Sequence, residues 1–142
     1  MNAGMNRKPV FQNPMAGLLV ALVILFSSGC GLFGGKSVVI NKAIEALESK
    51  KSELLGTHPE IADAKFYKDE QGDGIVIEYI YKDGTRIDPS FTADAAKTNL
   101  IAQFKDNEGI KTILGYGVYL RFMFKTADGE TVADTKLESS DL

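Results

Sequence analysis

Cys30 and His58 are the only cysteine and the only histidine of the chain, so thiol or imidazole chemistry must run through them. Cys30 sits in LFSSGCGLFGGKS, between an apolar run and a glycine-rich stretch. A thiol has four uses there: nucleophile, metal ligand, redox handle or point of covalent attachment. The first three need a structured, electropositive pocket with His or Asp partners. A glycine-rich neighbourhood supplies neither, and one cysteine makes no internal disulfide. Attachment is the use that fits.

The other candidates are weaker. His58, in Gly56-Thr57-His58-Pro59, reads as a surface or capping residue of a helix-end loop, with no nucleophile close in sequence. Asp69-x-x-x-Asp73-Gly74 has the start of a calcium loop, but Gln71 holds its third position and Ile80 stands where a bidentate Glu belongs. A solvated hairpin turn is the better reading. Gly72-x-Gly74 and Gly115-x-Gly117 precede expected strands rather than helices, which is wrong for a dinucleotide fingerprint. No Ser/His/Asp set, paired-carboxylate cleft or multi-Cys/His cluster with ligand spacing is legible. The expectation is a non-enzyme, with no catalytic residue, no metal and no cofactor.

The N-terminus explains the cysteine. Arg7 and Lys8 precede an uncharged run from Met15 to Phe26 (MAGLLVALVILF), and the small residues Ser27, Ser28 and Gly29 follow. Basic region, short apolar run and small-residue zone make the layout of a secretory signal peptide. The run is too short for a permanent membrane span, which needs about 20 residues. Phe26-Ser27-Ser28-Gly29-Cys30 resembles the lipobox of bacterial lipoprotein precursors. That resemblance implies cleavage before Cys30, a diacylglyceryl group on its sulfur and acylation of the new N-terminus. Two or more acyl chains anchor stably where one does not. With Gly31 rather than Asp after the cysteine, the resemblance implies the outer membrane in a two-membrane bacterium. In a one-membrane bacterium it implies the outer leaflet of the plasma membrane.

Residues 1–29 are therefore expected to be a cleaved lipoprotein signal peptide, and 30–37 a lipidated N-terminus and flexible tether. Residues 38–137 would form a single domain and 138–142 a loose tail. Both charges removed with the signal are basic, so the chain left behind is more acidic than the formal −3 of the whole. A mildly acidic domain without basic clusters argues against nucleic acid as a partner. With no disulfide available, packing alone must hold it.

Elements follow from periodicity. Ile40, Ala43, Ile44, Leu47, Leu54 and Leu55 recur at helical spacing, with Ser37 as a cap and Gly56 as a stop before Pro59. Ala64 to Tyr67 reads as a short strand. IVIEYIYK (Ile75 to Lys82) alternates with period two, and Asp83-Gly84 would turn it back on Thr85 to Ile87. A second helix is capped by Thr92 and turns Ala96, Leu100, Ile101 and Phe104 inward. Ile110 to Leu114 reads as a short strand, GVYLRFMFK (Gly117 to Lys125) as the clearest one, and Thr131 to Leu137 as the last.

Gly72 to Ile87 and Gly115 to Val132 share a template of Gly-x-Gly, alternating apolar residues, Lys and Asp-Gly. Either half-buried hairpin strands simply look alike, or a helix–hairpin unit is duplicated. The expected architecture is α+β, a two-layer sandwich with two helices on one face of an antiparallel sheet. Ile77, Tyr79, Leu120, Phe122 and Phe124 would be buried beneath the helices.

The other sheet face would show Val76, Glu78, Ile80 and Lys82 beside Tyr119, Arg121, Met123 and Lys125. Tyr, Met and Arg are enriched at interfaces, which makes Val76, Ile80, Tyr119, Arg121 and Met123 a candidate interaction face. The competing reading is a solvated face on which Glu78, Lys82, Arg121 and Lys125 form cross-strand pairs. The chain from about Ser37 onward also resembles small bacterial lipoproteins of uncharacterised function, especially in its strand–Ala127-Asp128-Gly129–strand ending. The reading as a whole is a lipid-anchored, extracytoplasmic binding or structural module. Its partners would be the membrane, through Cys30, and an envelope protein. A small-ligand carrier with an apolar pocket between helices and sheet is the alternative, and a hydrolase the next.

Overall fold

The computed structural model describes residues 35–142; Cys30 and the signal-like segment lie outside the described residues. The elements are α1 (Lys36–Ser49), α2 (Lys51–Thr57), β1 (Ile61–Lys68), β2 (Gly74–Tyr81), α3 (Ala93–Phe104), α4 (Glu108–Gly115), β3 (Tyr119–Lys125) and β4 (Thr131–Leu137). A short 3₁₀ turn, Ser139–Asp141, follows. The fold is α+β, as its periodicities predict.

Where one helix is expected between Ser37 and Gly56, two form, and Gly35 rather than Ser37 takes the cap position. The break falls at Lys50, whose amide bonds to Leu47 and Glu48 rather than continuing the ladder. From Glu48 to Glu53 the chain has no apolar side chain, and a helix without a face to bury has little to sustain it. Val39, Ile40, Ala43 and Leu47 of α1 and Leu54 of α2 are buried on either side.

Ile110 to Leu114 is helical, not extended. Asn107 caps α4, its side-chain oxygen accepting from the Ile110 amide at 2.8 Å. Ile110, Ile113 and Leu114 then fall together on the buried side, the three-to-four spacing of a helix hidden in a run too short to show it. Thr92 caps α3 as expected, accepting from Ala95 at 3.2 Å.

The four strands lie side by side in sequence order. β1–β2 and β3–β4 are antiparallel. The central pair β2–β3 is parallel, with Gly74 opposite Tyr119 and Ile77 opposite Phe122. The expected hairpin from Ile75 to Ile87 does not form, because β1 and β3 occupy both edges of β2. Asp83-Gly84 still turns the chain, with the Thr85 amide on Lys82, but only Ile87 makes an isolated bridge. A parallel neighbour needs a long crossover, and α3 and α4 supply it.

The strands that carry the internal likeness, β2 and β3, are the second strand of one antiparallel pair and the first strand of the next, and lie as parallel neighbours at the centre of the sheet. The order of two helices and an antiparallel strand pair itself occurs twice among the described residues. Ile75, Ile77, Tyr79 and Tyr81 share a face with Leu120, Phe122 and Phe124, and all are buried. Phe124 meets Phe91 edge-on at 5.0 Å and Tyr79 at 5.4 Å, and Phe104 of α3 meets Phe122 at 6.3 Å. α1 and α2 pack on β1, and α3 packs on β4. The end of the chain is not loose. Glu138 and Asp141 bond reciprocally, Lys97 holds Asp141 at 3.2 Å, and Leu142 packs against the core.

Candidate functional site

Period-two alternation sends Tyr67 of β1, Val76, Glu78 and Ile80 of β2, Tyr119, Arg121, Met123 and Lys125 of β3, and Asp134 and Lys136 of β4 to the helix-free face. Their polar ends form two clusters, one across β1, β2 and β3 and one joining the β1–β2 turn to β3 and β4. The Tyr67 hydroxyl donates to Glu78 Oε1 at 2.7 Å, and Lys125 Nζ stands 3.4 Å from Glu78 Oε2. Arg121 donates Nε and Nη2 to the two carboxylate oxygens of Asp134 at 2.9 and 2.7 Å, a bidentate fork. Its Nη1 lies 3.6 Å from Asp69 Oδ2.

Asp69 is the deepest carboxylate of the two clusters together with Glu78, each 5% exposed. It accepts from the Tyr119 hydroxyl at 2.6 Å and from the Gln71 amide at 3.0 Å. The Tyr119 hydrogen bond, that amide and the Arg121 charge hold its carboxyl below the ordinary value, against the opposing effect of burial. Burial first, then Asp69, pushes the Tyr119 phenol up to about 12; burial, then Glu78, does the same for Tyr67.

The Tyr119 ring can reach Asp69 because Gly74, directly opposite on β2, has no side chain. A Cβ at Gly74 would fall inside the ring, and one at Gly72 would stand 3.0 Å from its hydroxyl. Lys136 Nζ lies over the same ring, 4.4 Å from its centre. Gly72-x-Gly74 is therefore a seat for an aromatic ring. Gly117 serves the backbone instead. Its φ of +85° lies in the left-handed region, and it abuts Lys36. The two Gly-x-Gly motifs coincide in sequence and differ in cause.

Comparison with known protein families, with characterised proteins and with solved structures finds no match. The site must be read from its own geometry.

The candidate interaction residues all lie on the helix-free face, but not equally accessibly. Val76 is 1% exposed, flanked by Tyr67 and Arg121 on the neighbouring strands. Among the described residues it is the one buried apolar side chain outside the main core. Ile80, Tyr119, Arg121 and Met123 are half-buried. Of the expected cross-strand pairs, Glu78–Lys125 forms, whereas Arg121 turns to Asp134 and Lys82 lies beyond the end of β2. In sequence, Asp69 and Asp134 are legible only as a turn residue and a strand residue. Nothing local marks Asp69 as the partner of a tyrosine fifty positions away.

His58 takes the C-cap position of α2, its amide bonding the Leu54 carbonyl, and its side chain is 12% exposed, with Nδ1 3.5 Å from Glu60 Oε2. Its Nε2 has no hydrogen-bond partner among the described residues. Among those residues no group of three or more His, Cys, Asp or Glu is placed to hold a metal ion, and no helix is long and apolar enough to cross a membrane. Three surface grooves are formed by the described residues alone. One of about 240 Å³ runs along Leu114, Gly117 to Tyr119 and Glu138 to Ser140. A neighbouring one of about 190 Å³ touches Lys111, Leu114, Ser139 and Leu142. The third, also about 190 Å³, lies between the turns at Lys82 to Thr85 and Thr126 to Asp128.

Proposed function

We propose that this chain is a lipid-anchored extracytoplasmic lipoprotein whose domain acts as a non-catalytic binding or structural module. The observation that carries this reading is the order of basic region, apolar run, small residues and Cys30, six residues before the first described helix opens at Lys36. The membrane is the first partner, through Cys30, and an envelope protein at the helix-free sheet face is the second. Supporting the second is the chemistry of that face. Arg121 pairs with both Asp69 and Asp134, and Lys125 with Glu78, leaving half-buried Ile80 and Met123 between neutralised groups. Such a mixed surface suits a protein partner better than a highly charged polymer.

A binding module is favoured over a carrier by the packing between the layers. Tyr79, Phe104, Phe122 and Phe124 fill that space. Replacement of Cys30 by Ala should leave an unprocessed precursor, and mass spectrometry of the wild-type N-terminus should find a diacylglyceryl group on the Cys30 sulfur, with or without a further acyl chain on its amine. A free Cys30 thiol in protein taken from a lipoprotein-processing bacterium would refute the anchor. For the face, Ile80→Glu and Met123→Glu should each remove a crosslinked envelope partner that the wild type retains.

A further inference from the structure

We propose that the end of the domain carrying Lys36, Asp73 and Gly117 faces the bilayer, and that the turns at Lys82 to Thr85 and Thr126 to Gly129 point away from it. The proposal rests on the lipid anchor at Cys30. Its geometric part starts from where the first helix begins. Lys36 opens α1, and its ammonium bonds Asp73 in the β1–β2 turn at 3.2 Å. Its stem abuts Gly117, just before β3. Because β2 and β3 are parallel, both central strands start at this end of the sheet. The antiparallel outer strands β1 and β4 finish there, with Lys68 opposite Ile75 and Leu137 opposite Leu120. One end of the sheet thus gathers the start of α1, the Asp69 to Asp73 turn and the grooves beside Leu114 and Ser139.

The chain between Cys30 and Lys36 is short. Gly31 to Gly35 reach about 17 Å when fully extended, whereas the eight residues of β2 run about 26 Å. The near end is held within tether reach of the lipid, and the far turns stand a strand length beyond it. The exposed apolar surface points the same way. Among the described residues the large apolar side chains exposed are Val38 and Tyr67. Val38 lies two positions into α1, and Tyr67 is the penultimate residue of β1. Both belong to the near half of the molecule. The outward side of α1 is polar otherwise, with Asn41, Lys42, Glu45 and Glu48, and the helix-free sheet face is covered by ion pairs. Neither broad side offers an apolar patch that would lay the domain flat on lipid.

The test is paramagnetic relaxation of backbone amides. Isotope-labelled protein made from the full chain in a lipoprotein-processing bacterium is placed in nanodiscs of phosphatidylethanolamine and phosphatidylglycerol doped with a gadolinium-chelating lipid. Amides of Lys36 to Ile40, Asp69 to Gly74 and Gly117 to Tyr119 should relax several-fold faster than those of Lys82 to Thr85 and Thr126 to Gly129. Equal enhancement at both ends, or stronger enhancement at the far turns, overturns the proposal. The N-terminal mass reports separately on the anchor. If Cys30 carries no lipid, coupling a maleimide phospholipid to its thiol supplies one, and the same comparison of ends decides the orientation.

Discussion

The hydroxyl of Tyr119 reaches the Asp69 carboxylate at 2.6 Å across the backbone of Gly74, which sits directly opposite Tyr119 in the parallel central pair. One contact thereby joins the β1–β2 turn to β3. It also brings a nearly buried carboxylate within reach of Arg121, whose other partner is on β4.

Gly74→Ala should destabilise the fold by about 1–3 kcal/mol, the cost of adding a methyl group where the neighbour cannot yield without moving. The ring must swing off the strand and release Asp69. Urea unfolding of Gly74→Ala, Tyr119→Ala and the double variant measures this, and the double variant should be clearly more stable than the summed losses of the two single variants would make it. Additive losses would mean that the ring and Gly74 do not compete for space.

Acid stability should report on Asp69. Its carboxyl titrates below the ordinary value in the folded protein, near which it would titrate when unfolded. The unfolded chain therefore takes up the proton first as pH falls, so the contribution of Asp69 is complete above about pH 4 and is lost below it. Asp69→Asn should be less stable than wild type at pH 7 and should lose less further stability on acidification below pH 4. Parallel pH profiles for the two proteins would contradict this.

At high pH the sign reverses. Tyr67 and Tyr119 keep their protons up to about 12 in the folded state, while unfolded tyrosines ionise near 10. Stability should fall as pH rises between those values, and tyrosinate absorbance should appear late and together with unfolding. Tyr119→Phe should remove part of the alkaline loss. At neutral pH it should cost about 1–3 kcal/mol through the missing bond to a charged acceptor.

The two middle helices should respond differently to loss of their caps. Asn107→Ala removes a buried 2.8 Å bond and should cost about 1–2 kcal/mol. Thr92→Ala removes an exposed bond of 3.2 Å and should cost roughly half as much. Thermal unfolding of each variant checks the order.

In the core, the Tyr79 hydroxyl is fully buried and has no hydrogen-bond partner among the described residues. Tyr79→Phe should leave stability unchanged or raise it by about 1 kcal/mol, since an unsatisfied buried hydroxyl opposes folding. A clear loss of stability would show that the hydroxyl is hydrogen-bonded in solution.

What the sequence by itself determined is local. Period-two spacing assigned Ile75, Ile77, Tyr79 and Tyr81 to one face and Glu78 to the other, and every one of them lies where its spacing put it. Helical spacing found Ala96, Leu100 and Phe104, and Thr92 marked their start. These patterns are legible because a side chain's direction depends only on its neighbours along the chain. Five residues from Ile110 to Leu114 were too few to show their period, so the Asn107 cap and the surrounding core decided their state. Tertiary structure alone decided that β2 lies beside β3 and runs parallel to it, that Gly74 seats a ring and that Asp69 meets Tyr119. Alternation is the same for a parallel or an antiparallel neighbour, and pairing across fifty residues is settled by which faces the intervening helices can cover.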